Sequence, residues 1–218
     1  MEYENIIYEA EEGIGTLTLN RPKSVNAVNR LMMEELLHFW GQRQHDFDTR
    51  VIILTGAGEK SFCAGFDMKD ATDPEGCAKG GISPEKIYRK QSRFSGILNL
   101  IRSCPQPIIT AVHSYAMGAG LSFAMASDIR LSSDDAIFCA AYINIGLGGT
   151  DLGSSYLLWR LVAMGKTAEL CYSGDRISVD EAHRIGLADH VYERKELLAQ
   201  ARALSLNLIY NKIPSACR

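Results

Sequence analysis

The six cysteines of this chain (Cys63, Cys77, Cys104, Cys139, Cys171 and Cys217) include no C-x-x-C pair. At 218 residues the chain can bury a sizeable core and does not depend on disulfide staples. Reduced thiols are expected, several of them buried. No apolar run approaches the length of a membrane span. The first residues, MEYENIIYEAEEG, are acidic where a secretory or transit leader is basic, so the expected location is cytoplasmic, with no membrane partner. A net charge of −3 offers no basic footprint for nucleic acid. With 46% hydrophobic and 22% charged residues, the remainder is ordinary for a globular protein.

Several catalytic signatures are missing too. TGAGEKS (55–61) has the outline of a phosphate loop, but Glu59 stands where a glycine must precede the lysine. MGAGLSF carries G-x-G, yet Phe123 occupies the place of the third glycine, and Asp134 and Asp135 fall too early to hold a ribose. There is no G-x-S-x-G and no H-E-x-x-H, and the five histidines are scattered, so neither a triad nor a metal is indicated. Cys63 has apolar neighbours, which favours a small buried side chain over a nucleophile.

What is present alternates. IIYEAEEGIGTLTLN reads as two strands around a turn at Glu12-Gly13, and NRLMMEELLHFWGQRQHDF as an amphipathic helix. VIILTG (51–56) and QPIITAVHS are apolar runs of the kind covered on both faces, separated by a loop to about residue 84 and a second amphipathic helix. AIFCAAYINIG is a further short strand, followed by helices over LGSSYLLWRLVAM and KTAELCYSG. Ser178 is placed to start another helix, LADHVY is a strand, and a last helix starts near Glu193. The alternation predicts an α/β protein with a mainly parallel sheet, and no internal repeat of fixed period is visible.

Two stretches fit one another. SFCAGFDMKD (61–70) follows one strand and turns at Gly65, while SYAMGAGLSFAMASDI follows another and opens an apolar helix with two glycines. If both strand exits share one edge of a parallel sheet, backbone N–H groups from each can converge on one point. Two such donors, one at a helix start, would grip an oxygen on which negative charge develops. Either stretch alone reads as a tight packing turn.

Together with RPKSVNAV (21–28) and GDRISVDEAHRIGLADHV (174–191), these stretches resemble the crotonase (enoyl-CoA hydratase/isomerase) family, in family order and spacing. The resemblance implies a crotonase-like spiral of ββα units over residues 1–218 as one domain, with a C-terminal helical part short or missing. It implies homotrimers or homohexamers, an acyl-CoA thioester as substrate, and no cofactor beyond the coenzyme A that the substrate carries. It assigns the oxyanion donors to the N–H groups of Phe66 and Ala119, and places Lys23, Ala64, Asp67 and Met68 along the coenzyme A groove.

The chain also departs from that pattern. Hydratases of the family carry one glutamate on the oxyanion helix and another at the end of the next strand, and those positions here read Ser122 and Tyr142. Ser122, one turn after Ala119, is expected to reach the pocket, but neither hydroxyl replaces a carboxylate base. Asp151, allowing one inserted residue, matches the aspartate of isomerase and dehalogenase branches. It is equally a preferred residue type for capping the helix that follows. Double-bond isomerisation with Asp151 as acid and base is the leading expectation. Hydration or hydrolysis through Asp151 and water, and acyl-CoA binding without catalysis, stand as alternatives.

Overall fold

The computed structural model describes residues 2–71, 83–149 and 151–211. Strands β1 (Ile6–Glu11) and β2 (Ile14–Leu19) form a hairpin whose turn residues Glu12 and Gly13 both have positive φ, the geometry that suits a two-residue loop. Helix α1 (Arg30–Arg43) starts at Asn29, whose side chain accepts a hydrogen bond from the Met32 N–H. After β3 (Val51–Gly56) come a short turn of helix, α2 (Met68–Ala71), and the long α3 (Pro84–Ser103). Then follow β4 (Ile108–Val112), β5 (Tyr115–Met117), α4 (Ala119–Ala126), β6 (Ile129–Ser133) and β7 (Ile137–Cys139). The chain continues through α5 (Ser154–Leu161), α6 (Met164–Ser173), β8 (Arg176–Ser178), α7 (Val179–Arg184), β9 (His190–Tyr192) and α8 (Leu197–Asn211).

A six-stranded sheet runs β1-β2-β3-β4-β6-β9, antiparallel only in the first pair, and a three-stranded sheet runs β5-β7-β8. Twice the chain visits the large sheet and then the small one before a helix: β4 then β5 then α4, and β6 then β7 then α5. Residue Cys63 makes the corresponding visit after β3, through a parallel bridge to Ala116. This is the ββα spiral. Its repeats have no fixed sequence period because the intervening helices differ in length, from α3 with 20 residues to α4 with 8.

Both faces of β3 are covered, as its apolar run predicts. Ile52 and Leu54 join the main core with Phe39, Trp40 and Phe94, while Val51 and Ile53 join a second cluster under α8 with Leu197, Ala201 and Ile209. Each such fully buried side chain contributes about 1.5–3 kcal/mol. Among the described residues no helix is long and apolar enough to cross a membrane.

Several elements differ from the sequence reading, each for its own reason. The run over 114–130 is not one helix: Tyr115–Met117 is a strand, the helix spans Ala119–Ala126, and β6 begins at Ile129. Strand β6 is hidden by its polar residues, since buried Arg130 draws on the distant Leu187 carbonyl and Asp189 carboxylate as well as on the nearby Ser127 and Asp128 carbonyls. Three-residue strands such as β5 and β8 carry too little periodicity to register. The last helix begins at Leu197, after a turn of 3-10 helix over Arg194–Glu196. Ser178 does cap its helix, accepting from the Glu181 N–H. Residues after Asn211, on which the expectation of a short C-terminal part rests, lie outside the described residues, as does most of the loop between Lys69 and Pro84.

The segment 21–28 is held against the strand exits by Asn26, which is fully buried with φ 55°. Its amide donates to the carbonyls of Ala57 (2.9 Å) and Ser61 (2.7 Å), and its oxygen accepts from the Arg21 N–H (2.9 Å). Asn26→Asp keeps the shape but cannot donate to two carbonyls, and Asn26→Ala satisfies none of the three groups. Both variants should lose about 1–3 kcal/mol or more in urea denaturation, because buried partners are left unpaired.

Candidate active site

Strands β3 and β4 are neighbours in the large sheet, so their exits do share an edge. Backbone hydrogen bonds zip the two exits together: Phe62 N–H to the His113 carbonyl (2.9 Å), Cys63 N–H to Tyr115 (3.0 Å) and Met117 N–H to Cys63 (3.0 Å). On the other side, Val28 pairs with Phe66. The Val28 N–H donates to the Gly65 carbonyl (2.8 Å) and the Asp67 N–H to the Val28 carbonyl (3.0 Å). In a parallel bridge this pattern turns the N–H of Phe66 away from Val28.

The glycines explain how close the exits come. Gly65 has φ +99°, and a Cβ there would lie 3.0 Å from the Met117 carbonyl oxygen and 3.7 Å from the Ala119 nitrogen. A side chain would therefore press on the Met117 carbonyl oxygen and be strained by the positive φ, next to the nitrogen that opens α4. Gly118 precedes that helix with φ 49° and ψ −113° and provides no side-chain cap. Ala119 takes the first helical position, where an N–H has no intrahelical acceptor. Gly120 serves packing: its Cβ would fall 2.3 Å from the Cys63 carbonyl oxygen. The two glycines of this helix start thus answer to different needs.

These elements wall a cavity of about 120 Å³. Ala64, Phe66, Met68, Ala119, Tyr142 and Asp151 line it, so six of the nine residues singled out in the sequence come together. The other three do not line it. Lys23 is exposed in the turn Pro22–Ser24. Asp67 pairs with Arg21 at 2.9 Å; burial raises its carboxyl, but the bonds from Arg21 and from the Lys69 and Asp70 N–H groups outweigh that and hold it below the usual range. Ser122 is completely buried behind the wall, donating to the Leu152 carbonyl (2.8 Å) and touching the Tyr142 hydroxyl. The expectation that it reaches the pocket is corrected: its side chain turns to a loop that packs over the helix.

Asp151 is not a helix cap. Helix α5 begins three residues later, with Gly153 at the capping position and no side-chain bond there. One carboxylate oxygen instead accepts from the Leu152 N–H (2.8 Å), and the other from the Gln91 amide (2.9 Å). Gln91, on α3, went unnoticed in the sequence, since no local motif marks a residue 60 positions from its partner. Among the described lining residues, Asp151 is the one carboxylate.

Residues 9–218 match the model of the enoyl-CoA hydratase/isomerase family. The chain belongs to that family. It is 38% identical over 215 residues to the short-chain-enoyl-CoA hydratase of Clostridium acetobutylicum, which covers 97% of this chain and 77% of that protein. It is 35% identical to the crotonyl-CoA hydratase of Syntrophomonas wolfei, over 94% of this chain and 75% of that protein. The crystal structure of an enoyl-CoA hydratase from Bacillus anthracis superposes with a TM-score of 0.87 at 30% identity, over 95% of this chain and 78% of the other. A monofunctional enoyl CoA isomerase from M. smegmatis superposes with a TM-score of 0.78 at 28% identity, over 97% of this chain and 87% of the other. The family fold and its acyl-CoA chemistry therefore apply to this chain.

Cys63 is fully buried, and burial pushes its thiol up to about 12. At about pH 8 that leaves on the order of one thiolate in ten thousand. Iodoacetamide should leave Cys63 unmodified in the native protein, as read by peptide mass spectrometry, and alkylate it after denaturation.

Proposed function

We propose that this family member stabilises a thioester enolate with the N–H groups of Phe66 and Ala119, and that Asp151 moves a proton between carbons, shifting a double bond. One observation carries the reading. Asp151 lines the same small cavity as Phe66 and Ala119 and is the one carboxylate among its described lining residues, while by the family resemblance Ser122 and Tyr142 stand where hydratases carry glutamate.

The chemistry follows from the parts. A proton next to a thioester carbonyl becomes removable only as the carbonyl oxygen takes up negative charge. Preorganised backbone donors favour that charge without having to reorient during the reaction. The N–H of Gln91 and that of Leu152 each occupy one oxygen of Asp151, which fixes the carboxylate in orientation while lone pairs remain for a substrate proton. The cavity of about 120 Å³ suits a short acyl chain. Coenzyme A enters with the substrate and leaves with the product, and no resident cofactor is needed for proton transfer. Lys23 is exposed, as a cation meeting the phosphates of coenzyme A must be.

A second reading, hydration with Asp151 directing a water, is favoured by the names of the relatives in Clostridium acetobutylicum and Syntrophomonas wolfei. The two readings differ in product. In heavy water, isomerisation yields a deuterated thioester with its double bond moved, whereas hydration adds one water mass.

Asp151→Asn should reduce deuterium incorporation into short enoyl-CoA substrates by about 10²-fold or more, since a positioned acid–base group typically contributes 10²–10⁴-fold. Equal incorporation by both proteins would remove Asp151 from the role. Ala119→Pro deletes one donor at a helix position that tolerates proline. It should lower kcat/KM by about 10²–10³-fold in protein that circular dichroism shows to be folded.

A further inference from the structure

We propose that Tyr142 and Ser122 form a positioning pair: Tyr142 orients and polarises the Gly118–Ala119 peptide, and Ser122 ties that peptide to the loop carrying Asp151. This rests on the assignment of the Ala119 N–H as an oxyanion donor.

The Gly118 carbonyl and the Ala119 N–H belong to one planar, trans peptide unit, so they point in opposite directions. Whatever binds the carbonyl oxygen sets where the N–H points. Two groups bind it: the Ser122 N–H at 3.0 Å, the first hydrogen bond of the helix, and the Tyr142 hydroxyl at 2.8 Å. A helix start ordinarily has only the first. The second comes from the strand-to-loop segment after β7, and it comes from the position where a hydratase of the family carries a glutamate. A carboxylate there could only accept, and would repel the Gly118 carbonyl. A phenol donates.

The protons can be counted. The Tyr142 and Ser122 hydroxyls have one proton each, and touch each other, the Gly118 carbonyl and the Leu152 carbonyl. In one arrangement Tyr142 donates to Gly118 and Ser122 to Leu152, and the bond to Gly118 draws electron density from the Ala119 N–H and makes it a stronger donor. In the other, Tyr142 donates to Ser122 and Ser122 to Leu152. Both arrangements link the start of α4 to the residue that follows Asp151, so donor and base are held in one frame. Burial keeps the Tyr142 phenol far above its ordinary range, so the proton stays on throughout any working pH.

The test is the infrared carbonyl band of butanoyl-coenzyme A labelled with carbon-13 at the thioester carbonyl, a saturated probe with no double bond to move. Binding to the wild type should shift the band to lower frequency. Tyr142→Phe should bind with a shift smaller by about 10–30%, and with enoyl substrates kcat should fall by about 2–10-fold while KM changes little. Ser122→Ala removes the tie to Leu152 and leaves the Tyr142–Gly118 hydrogen bond in place. It should keep the full band shift yet slow proton exchange, a split that a merely structural role does not produce. A wild-type band and wild-type kcat in folded Tyr142→Phe, with the shift lost in Ala119→Pro, would overturn the positioning pair alone. A reduced shift in Ser122→Ala also overturns it, and serves if Tyr142→Phe does not fold. An unchanged shift in Ala119→Pro overturns the donor assignment itself.

Discussion

Backbone meets backbone where the loops after β3 and β4 cross, at Gly65 and the Gly118–Ala119 peptide. Everything around that crossing serves to keep it tight. The carbonyl and amide groups of Cys63 exchange hydrogen bonds with the Tyr115–Met117 strand, Val28 brackets Phe66 from the other side, and Asn26 ties both to the end of β3. No side chain fits between the two loops. A site built from main-chain donors has an inherent advantage in such a place, because its polar groups cannot swing away as side chains do.

Two hydroxyl side chains, Ser122 and Tyr142, contact each other behind this crossing, and the carboxylate residue Asp151 approaches from the loop after β7. A buried pair of hydroxyls that contact each other and two carbonyls is nearly satisfied in its hydrogen bonding, so it can be dry and rigid. A buried pair of carboxylates in the same volume would repel. The hydroxyl pair supports the Gly118–Ala119 peptide in front of it.

The resemblance to the crotonase family was legible because it depends on short local patterns: a glycine at each strand exit, an apolar helix behind one of them, and a fixed order along the chain. Alternation of apolar runs and amphipathic helices likewise announced a parallel α/β sheet. Strand β6 was illegible for an opposite reason. Arg130 and the serines beside it look like loop residues until Asp189 and Leu187 arrive to satisfy the arginine. The helix-cap reading of Asp151 was a fair local inference, and it failed because Gly153, not Asp151, adopts the capping position.

By itself, then, the sequence determined which groups are available: two glycine-bearing exits, the aspartate Asp151 in the loop between β7 and α5, and the hydroxyls of Ser122 and Tyr142. Residue type and near-neighbour spacing settle such matters, because they follow from conformational preferences that act over a few residues. Tertiary structure alone decided how those groups face one another. Strand order made the exits adjacent, the packing of α3 brought Gln91 to Asp151, and the turn after β7 aimed the Tyr142 hydroxyl at Gly118. Those contacts join residues 20 to 60 positions apart. Contacts at that range depend on the register and layering of the whole sheet, which no short stretch of sequence encodes.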